Sequence, residues 1–175
     1  MKCGQKGYTL VELLIAITIM AMVSAAAGAG IFQIIRNTER NSNHMVAVLQ
    51  VQNAEQRISR DAQMAQCVTA GNLTLTLPNF LILSWIDESS SEEYQVTYTL
   101  EDMPGNTLKE LRRNQSINGG DNTTSFVACQ IDSDPTKTRC ELTSGILILT
   151  LTANMGDGAT MESETRTYRI LPRPD

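Results

Sequence analysis

The residues able to do chemistry in this chain are few, and the most conspicuous is Glu12. It heads a run with no charged residue from Leu13 to Phe32, the next charge being Arg36. His44 is the sole histidine and falls on the solvent side of an expected helix. A Ser-His-Asp or Cys-His device needs its base in a cleft beside the nucleophile, so no enzyme and no cofactor is expected. Asp132, Asp134 and the Asp157 of "GDG" offer oxygens suited to calcium, but their spacing matches no EF-hand loop and they read as solvated turns. The cysteines, Cys3, Cys67, Cys129 and Cys140, form no C-x-x-C pair, and with one distant histidine a zinc site has little to build on. Cys129 and Cys140 bracket "CQIDSDPTKTRC", short enough to close as a disulfide ring in an oxidising compartment. Such a ring would contribute about 3 kcal/mol; the alternatives are two free thiols, or Cys67 paired with either. Trp85 in an apolar strand reads as core.

Of 175 residues, 14 are basic and 19 acidic, a net charge of -5 with no Lys/Arg cluster larger than Arg112-Arg113. Nucleic acid is therefore not an expected partner. The apolar run has the length of a membrane-crossing helix. Lys2 and Lys6 precede it, so the positive-inside rule holds the N-terminus in the cytoplasm and sends the rest across. Three readings fit: a plain signal anchor; a cleaved signal peptide, with Ala25 and Ala27 of "SAAAGAG" before the cut; or the processing site described below.

The elements that must position these residues follow from periodicity. One helix is expected from about Tyr8 to Gln66, about 85 to 90 Å long, apolar all round at first and amphipathic later. In the second half Ala47, Val51, Ala54, Ile58, Ala62 and Ala65 draw one apolar stripe while Glu55, Arg57, Arg60 and Asp61 decorate the other faces. "AAAGAG", Ala25 to Gly30, is its weak point, because each glycine costs about 1 kcal/mol against Ala. It reads either as a stretch that loses helicity or as a place of close helix approach. From Leu73 the period becomes two. Strands are expected at Leu73 to Leu77, Phe80 to Ile86, Val96 to Leu100, "LKELRR", Ser125 to Ile131, Gly145 to Ala153 and Thr165 to Ile170, with Pro78-Asn79 a turn and "DESSSEE" a polar loop. The expected fold class is α+β: a long N-terminal helix packed on a C-terminal antiparallel sheet.

"KGYTLVELL" resembles the processing site of type IV pilins and pseudopilins: a short basic leader ending in Gly, then a hydrophobic residue, Thr, Leu, an aliphatic and Glu. The resemblance implies cleavage by a prepilin peptidase between Gly7 and Tyr8 and methylation of the new Tyr8 amine; Tyr8 departs from the commoner Phe or Met. A glycine before the scissile bond admits an extended backbone without a Cβ clash. Cleavage puts an ammonium at the positive end of the helix dipole, where an anion is favoured. Glu12 would supply it, either to its own Tyr8 one turn away or to the Tyr8 of a neighbouring subunit. The implied divisions are a leader at 1–7, a transmembrane and assembly helix at 8–35, and a pilin-like head at 36–175 that includes the amphipathic half of the helix. The implied partners are the peptidase, other subunits met through the N-terminal helix, the inner-membrane assembly platform and lipid, with the head outside the cytoplasm. The order "YQVTYTLEDMPGNTLKELRR", "SFVACQI", "GILILTLTA" is loosely similar to the heads of minor pilins and pseudopilins of the W or J type. The alternative function is a secreted or anchored β-rich binding domain.

Overall fold

The computed structural model describes residues 9–70, 79–105, 107–120 and 122–173. The leader, Gly7, Tyr8 and the expected strand at Leu73 to Leu77 lie outside them. Helix α1 spans Leu10–Met64, and β1 (Cys67–Ala70), β2 (Asn79–Asp87), β3 (Glu92–Asp102), β4 (Lys109–Ile117), β5 (Thr123–Ile131), β6 (Arg139–Thr143), β7 (Ile146–Met155) and β8 (Glu162–Ile170) follow. The chain divides into two compact units, Met1–Asn41 and Ser42–Asp175.

No proline interrupts α1, and "AAAGAG" is helical within it. A Cβ added at Gly28 or Gly30 would meet nothing within 4 Å among the described residues outside the adjoining helix backbone, so neither glycine makes room for another described part of this chain. The helix ends where β2 captures the backbone: the Gln66 N–H donates to the Ser84 carbonyl at 2.9 Å, and the Ile86 N–H donates to Gln66 Oε1 at 3.0 Å.

In the second unit the expected stripe, Ala47, Val51, Ala54, Ile58, Ala62 and Ala65, is fully buried. Small side chains there let the sheet approach, and the sheet supplies the bulk through Leu81, Leu83, Leu111, Ile131, Leu147, Leu149 and Leu151. These residues recur at every second position along their strands, as one buried sheet face requires. Asp61 departs from the expected solvent position: it is buried, for reasons given below.

The sheet is antiparallel, in the order β1-β2-β3-β4-β5-β7-β6, with β8 paired to β7. It curls, bringing β6 at one end of that order against β1 and β2 at the other. β5 and β7 join only at Ile131 and Ala153. β1 and β6 were not expected from the sequence, β6 because it occupies the end of the presumed disulfide ring.

That ring is not formed: Cys67, Cys129 and Cys140 are free thiols. The topology explains it. Cys129 lies on β5 and Cys140 on β6, with β7 between them. Cys140 pairs with Leu149 of β7, whereas β5 meets β7 at Ala153, about 13 Å further along the strand, and a disulfide needs Cα atoms within about 7 Å. Hydrogen bonds close the loop instead. Thr152 Oγ1 donates to the Lys137 carbonyl at 2.8 Å, the Thr152 N–H donates to Thr138 Oγ1 at 3.2 Å, and the Asp132 N–H donates to the Thr152 carbonyl at 2.9 Å.

Candidate functional site

The start of α1 is built by Thr9. Its carbonyl accepts from the Glu12 N–H at 3.1 Å and the Leu13 N–H at 3.2 Å, and its hydroxyl accepts from the Glu12 N–H at 3.3 Å. Thr9 is thus the N-cap, satisfying donors that a helix otherwise leaves unpaired. The signal for it, unread in the sequence, was the Thr-x-x-Glu spacing of a capping box. The cap puts Glu12 in the first turn, where the helix dipole favours a carboxylate. The next charged residue along the helix is Arg36, about 36 Å away at 1.5 Å per residue.

Between those charges the helix presents apolar side chains on all sides: Leu13, Ile17, Met20, Val23, Ile31 and Ile34 are all exposed. Within that stretch Thr18 Oγ1 donates to the Ile15 carbonyl at 2.8 Å, and just past Arg36 Thr38 Oγ1 donates to the Ile34 carbonyl at 2.9 Å. Such pairing is what a polar group in hydrocarbon requires. α1 is long and apolar enough to cross a membrane.

The other candidate residues are not brought together with Glu12. His44 is exposed on α1. Trp85 is half-buried and stacks on Tyr94, with ring centroids 5.5 Å apart and planes within 2°. Asp132 and Asp134 line a cavity of about 450 Å³ with Asn154 and Asp157, yet their oxygens are engaged. Asp132 Oδ2 accepts from Lys137 Nζ at 2.9 Å and Asn154 Nδ2 at 3.1 Å, and Asp134 Oδ1 accepts from the Thr136 N–H at 2.9 Å. Burial would raise the Asp132 carboxyl, but hydrogen bonds from Lys137, the Asp134 N–H and Asn154 together hold it below the usual carboxylate value. Among the described residues no three His, Cys, Asp or Glu side chains group as metal ligands.

A buried ionic cluster, for which the local sequence carries no signal, joins three elements. Asp61 on α1 accepts from Tyr98 on β3 and from Arg113 on β4. Burial, then the Asp61 charge, pushes the Tyr98 phenol far above its ordinary value. Burial works against the Arg113 charge, but the Asp61 carboxylate outweighs it and raises the guanidinium. The cluster ties helix to sheet.

The family model of the prokaryotic N-terminal methylation motif matches residues 2–28, the stretch that holds Gly7, Tyr8, Thr9 and Glu12. No curated protein and no solved structure matches the chain. The motif, with the apolar helix behind it, fits an anchor in the inner membrane before assembly with other subunits. Taken with the antiparallel sheet that follows the helix, it supports a type IV pilin-like prepilin of the kind that a prepilin peptidase processes.

Proposed function

We propose that this chain is a minor pilin or pseudopilin, cut between Gly7 and Tyr8 and methylated on the Tyr8 amine. It enters a type IV pilus or a type II secretion pseudopilus through its N-terminal helix, drawing on the inner-membrane assembly platform. Glu12 then meets the Tyr8 ammonium of an adjacent subunit.

The observation that carries this reading is the isolation of Glu12 in the first turn of a helix that has no other charge before Arg36. A carboxylate in hydrocarbon is unfavourable by about 2.5 to 3.5 kcal/mol at mid-bilayer and by less near the interface. An ammonium freed by cleavage is equally out of place there. Each relieves the other when two helices dock. The minor-subunit part of the proposal draws support from β3, β4 and β7, which contain the tyrosine-led, Leu-x-Arg and aliphatic segments similar to W- or J-type heads.

Mass spectrometry of the mature N-terminus tests the processing. Methylated Tyr8 is expected; Gly28 as first residue would mean a signal peptidase product, and Met1 an uncut anchor. Glu12→Ala is expected to be cleaved and to fold its head while failing to enter filaments; normal entry would remove the intersubunit role.

A further inference from the structure

The buried face of β2 runs through Leu81 and Leu83, and alternation carries it on to Trp85. α1 stops at Met64, where the bond from the Gln66 N–H to the Ser84 carbonyl ties its end to β2. The sheet therefore outruns the helix. Trp85, and Tyr94 directly opposite it on β3, are left half-covered. Their rings stack in parallel with centroids 5.5 Å apart, and the Tyr94 hydroxyl is anchored by donating to Glu92 Oε2 at 3.0 Å.

A cavity of about 430 Å³ opens at this corner, within the size range of small-molecule sites. Trp85 lines it and Tyr94 does not, so Tyr94 backs the indole while the cavity meets its other side. Around the indole stand the Gln63 amide from the last turn of α1, the Asp87 and Glu88 carboxylates from the end of β2 and the turn after it, and the Arg173 guanidinium from the tail after β8. Asp87 is held in place, its Oδ1 accepting from the Ser89 N–H at 2.9 Å and from Ser89 Oγ at 2.7 Å.

These groups select a class of ligand. A cation would meet Arg173, and an anion would meet Asp87 and Glu88. A wholly apolar ligand would strip water from all of them and return no hydrogen bond. Carboxylates only accept, a guanidinium only donates and an amide does both, so the fitting molecule is neutral, with an apolar face for the indole and a rim that donates and accepts. A pyranose has that form, with C–H groups on its face and hydroxyls around its edge. We propose that this corner of the head is a saccharide-binding site, in which one sugar ring lies on Trp85 and its hydroxyls bond to Gln63, Asp87, Glu88 and Arg173. The site is built within the second unit alone and is independent of the assembly role proposed above.

Trp85 is the only tryptophan of the chain, so its emission reports on the site directly. The test titrates the full-length chain, held in a polyoxyethylene detergent that carries no sugar, with maltose, lactose and chitobiose. At least one sugar should shift the emission saturably, with a dissociation constant on the order of 1 mM. Preference for chitobiose would assign an N-acetylhexosamine chain as the source, and preference for maltose or lactose a hexose glycan. Ligand-observed NMR then compares variants. Trp85→Ala should weaken binding about tenfold, through loss of the aromatic platform. Glu88→Gln and Arg173→Gln change exposed positions and should leave the melting temperature unchanged. Each should weaken binding about threefold, as loss of one hydrogen bond implies. Thr124→Ala on β5, separated from β2 by β3 and β4, should bind as the wild type does. The inference would be overturned if no sugar shifted the emission up to about 50 mM, or if both rim variants bound normally. A larger shift with tetramethylammonium chloride than with any sugar would also overturn it, by making the site one for cations.

Discussion

Tyr98 on β3 donates a 2.6 Å hydrogen bond to the Asp61 carboxylate on α1, and Arg113 on β4 reaches the same carboxylate through Nε at 2.5 Å and Nη2 at 3.2 Å. Asp61 is 3% exposed and Arg113 7%. The alanine-rich stripe that faces the sheet is smooth, and a smooth stripe tolerates sliding and rotation. A buried carboxylate and guanidinium do not, since any change of register separates charges that water cannot reach. The pair therefore fixes which part of the helix the sheet holds.

Removing one partner should be costly. Asp61→Ala leaves Arg113 buried and unpaired, an effect of about 3 to 5 kcal/mol, or a fall in melting temperature on the order of 10 °C. Replacing all three groups, as Asp61→Leu with Tyr98→Phe and Arg113→Met, should recover most of that loss, because apolar groups of similar volume often match a buried ion pair. Thermal unfolding followed by circular dichroism decides it; a change under 2 °C for Asp61→Ala would show that the cluster does not secure the helix.

That cluster also marks where the sequence stops being legible. The stripe from Ala47 to Ala65 and the alternation in β2, β3 and β7 are local patterns, so periodicity finds them. Asp61 looks like one more charge on a polar flank, because its partners lie 37 and 52 residues away. β1 has four residues and β6 five, too few for alternation to stand out, and their pairing is decided by the curl of the sheet. The Cys129 and Cys140 spacing pointed to a ring because sequence distance says nothing of the strand that runs between them. The N-terminal motif was readable because all of it is contiguous. Thr9 carries a signal of its own, the Thr-x-x-Glu spacing of a capping box, which hydrophobic periodicity does not report.

Gly156 should resist substitution. Its φ is +86°, and an added Cβ would lie 2.3 Å from Asn43 Nδ2 and 2.7 Å from the Thr160 carbonyl oxygen. Those two atoms are themselves hydrogen-bonded at 2.9 Å, joining α1 to the turn before β8. Gly156→Ala should cost about 1 to 3 kcal/mol from the backbone conformation alone, and Asn43→Ala about 1 kcal/mol. The two losses should not add in the double variant, since the first already breaks the bond that the second removes. Urea denaturation of the set measures this; strict additivity would mean that the two residues act independently.

Thiol reactivity and alkaline stability should follow burial. Burial, aided by the Glu141 charge, pushes the Cys140 thiol up to about 12, and burial also raises Cys129. Cys67 is exposed. Maleimide should label Cys67 first, Cys129 slowly and Cys140 only on unfolding. A thiol that resists ionising in the folded chain stabilises it fully below the unfolded value near 9, and that contribution is lost as pH rises through about 12. Tyr98, raised in the same direction, steepens the decline above pH 10. Denaturation midpoints should therefore fall steadily above pH 9, and Cys140→Ala should flatten the slope. A midpoint independent of pH between 9 and 11 would contradict the burial of both groups.

Gly28 and Gly30 separate two uses of small residues in a helix. If they loosen α1, raising helix propensity should harm the protein; if they permit close approach by another helix, only bulk should. The helix is continuous through both, and beyond the neighbouring turns of the helix itself nothing among the described residues lies within 4 Å of a Cβ at either. Gly28→Ala with Gly30→Ala should therefore favour the helix by about 1 kcal/mol per site and leave entry into filaments intact. Gly28→Leu with Gly30→Leu should fold equally well and fail to assemble, because a neighbouring backbone can no longer come near. Quantifying filament recovery for the two pairs distinguishes the uses. Failure of the alanine pair would mean that α1 must unwind there during assembly.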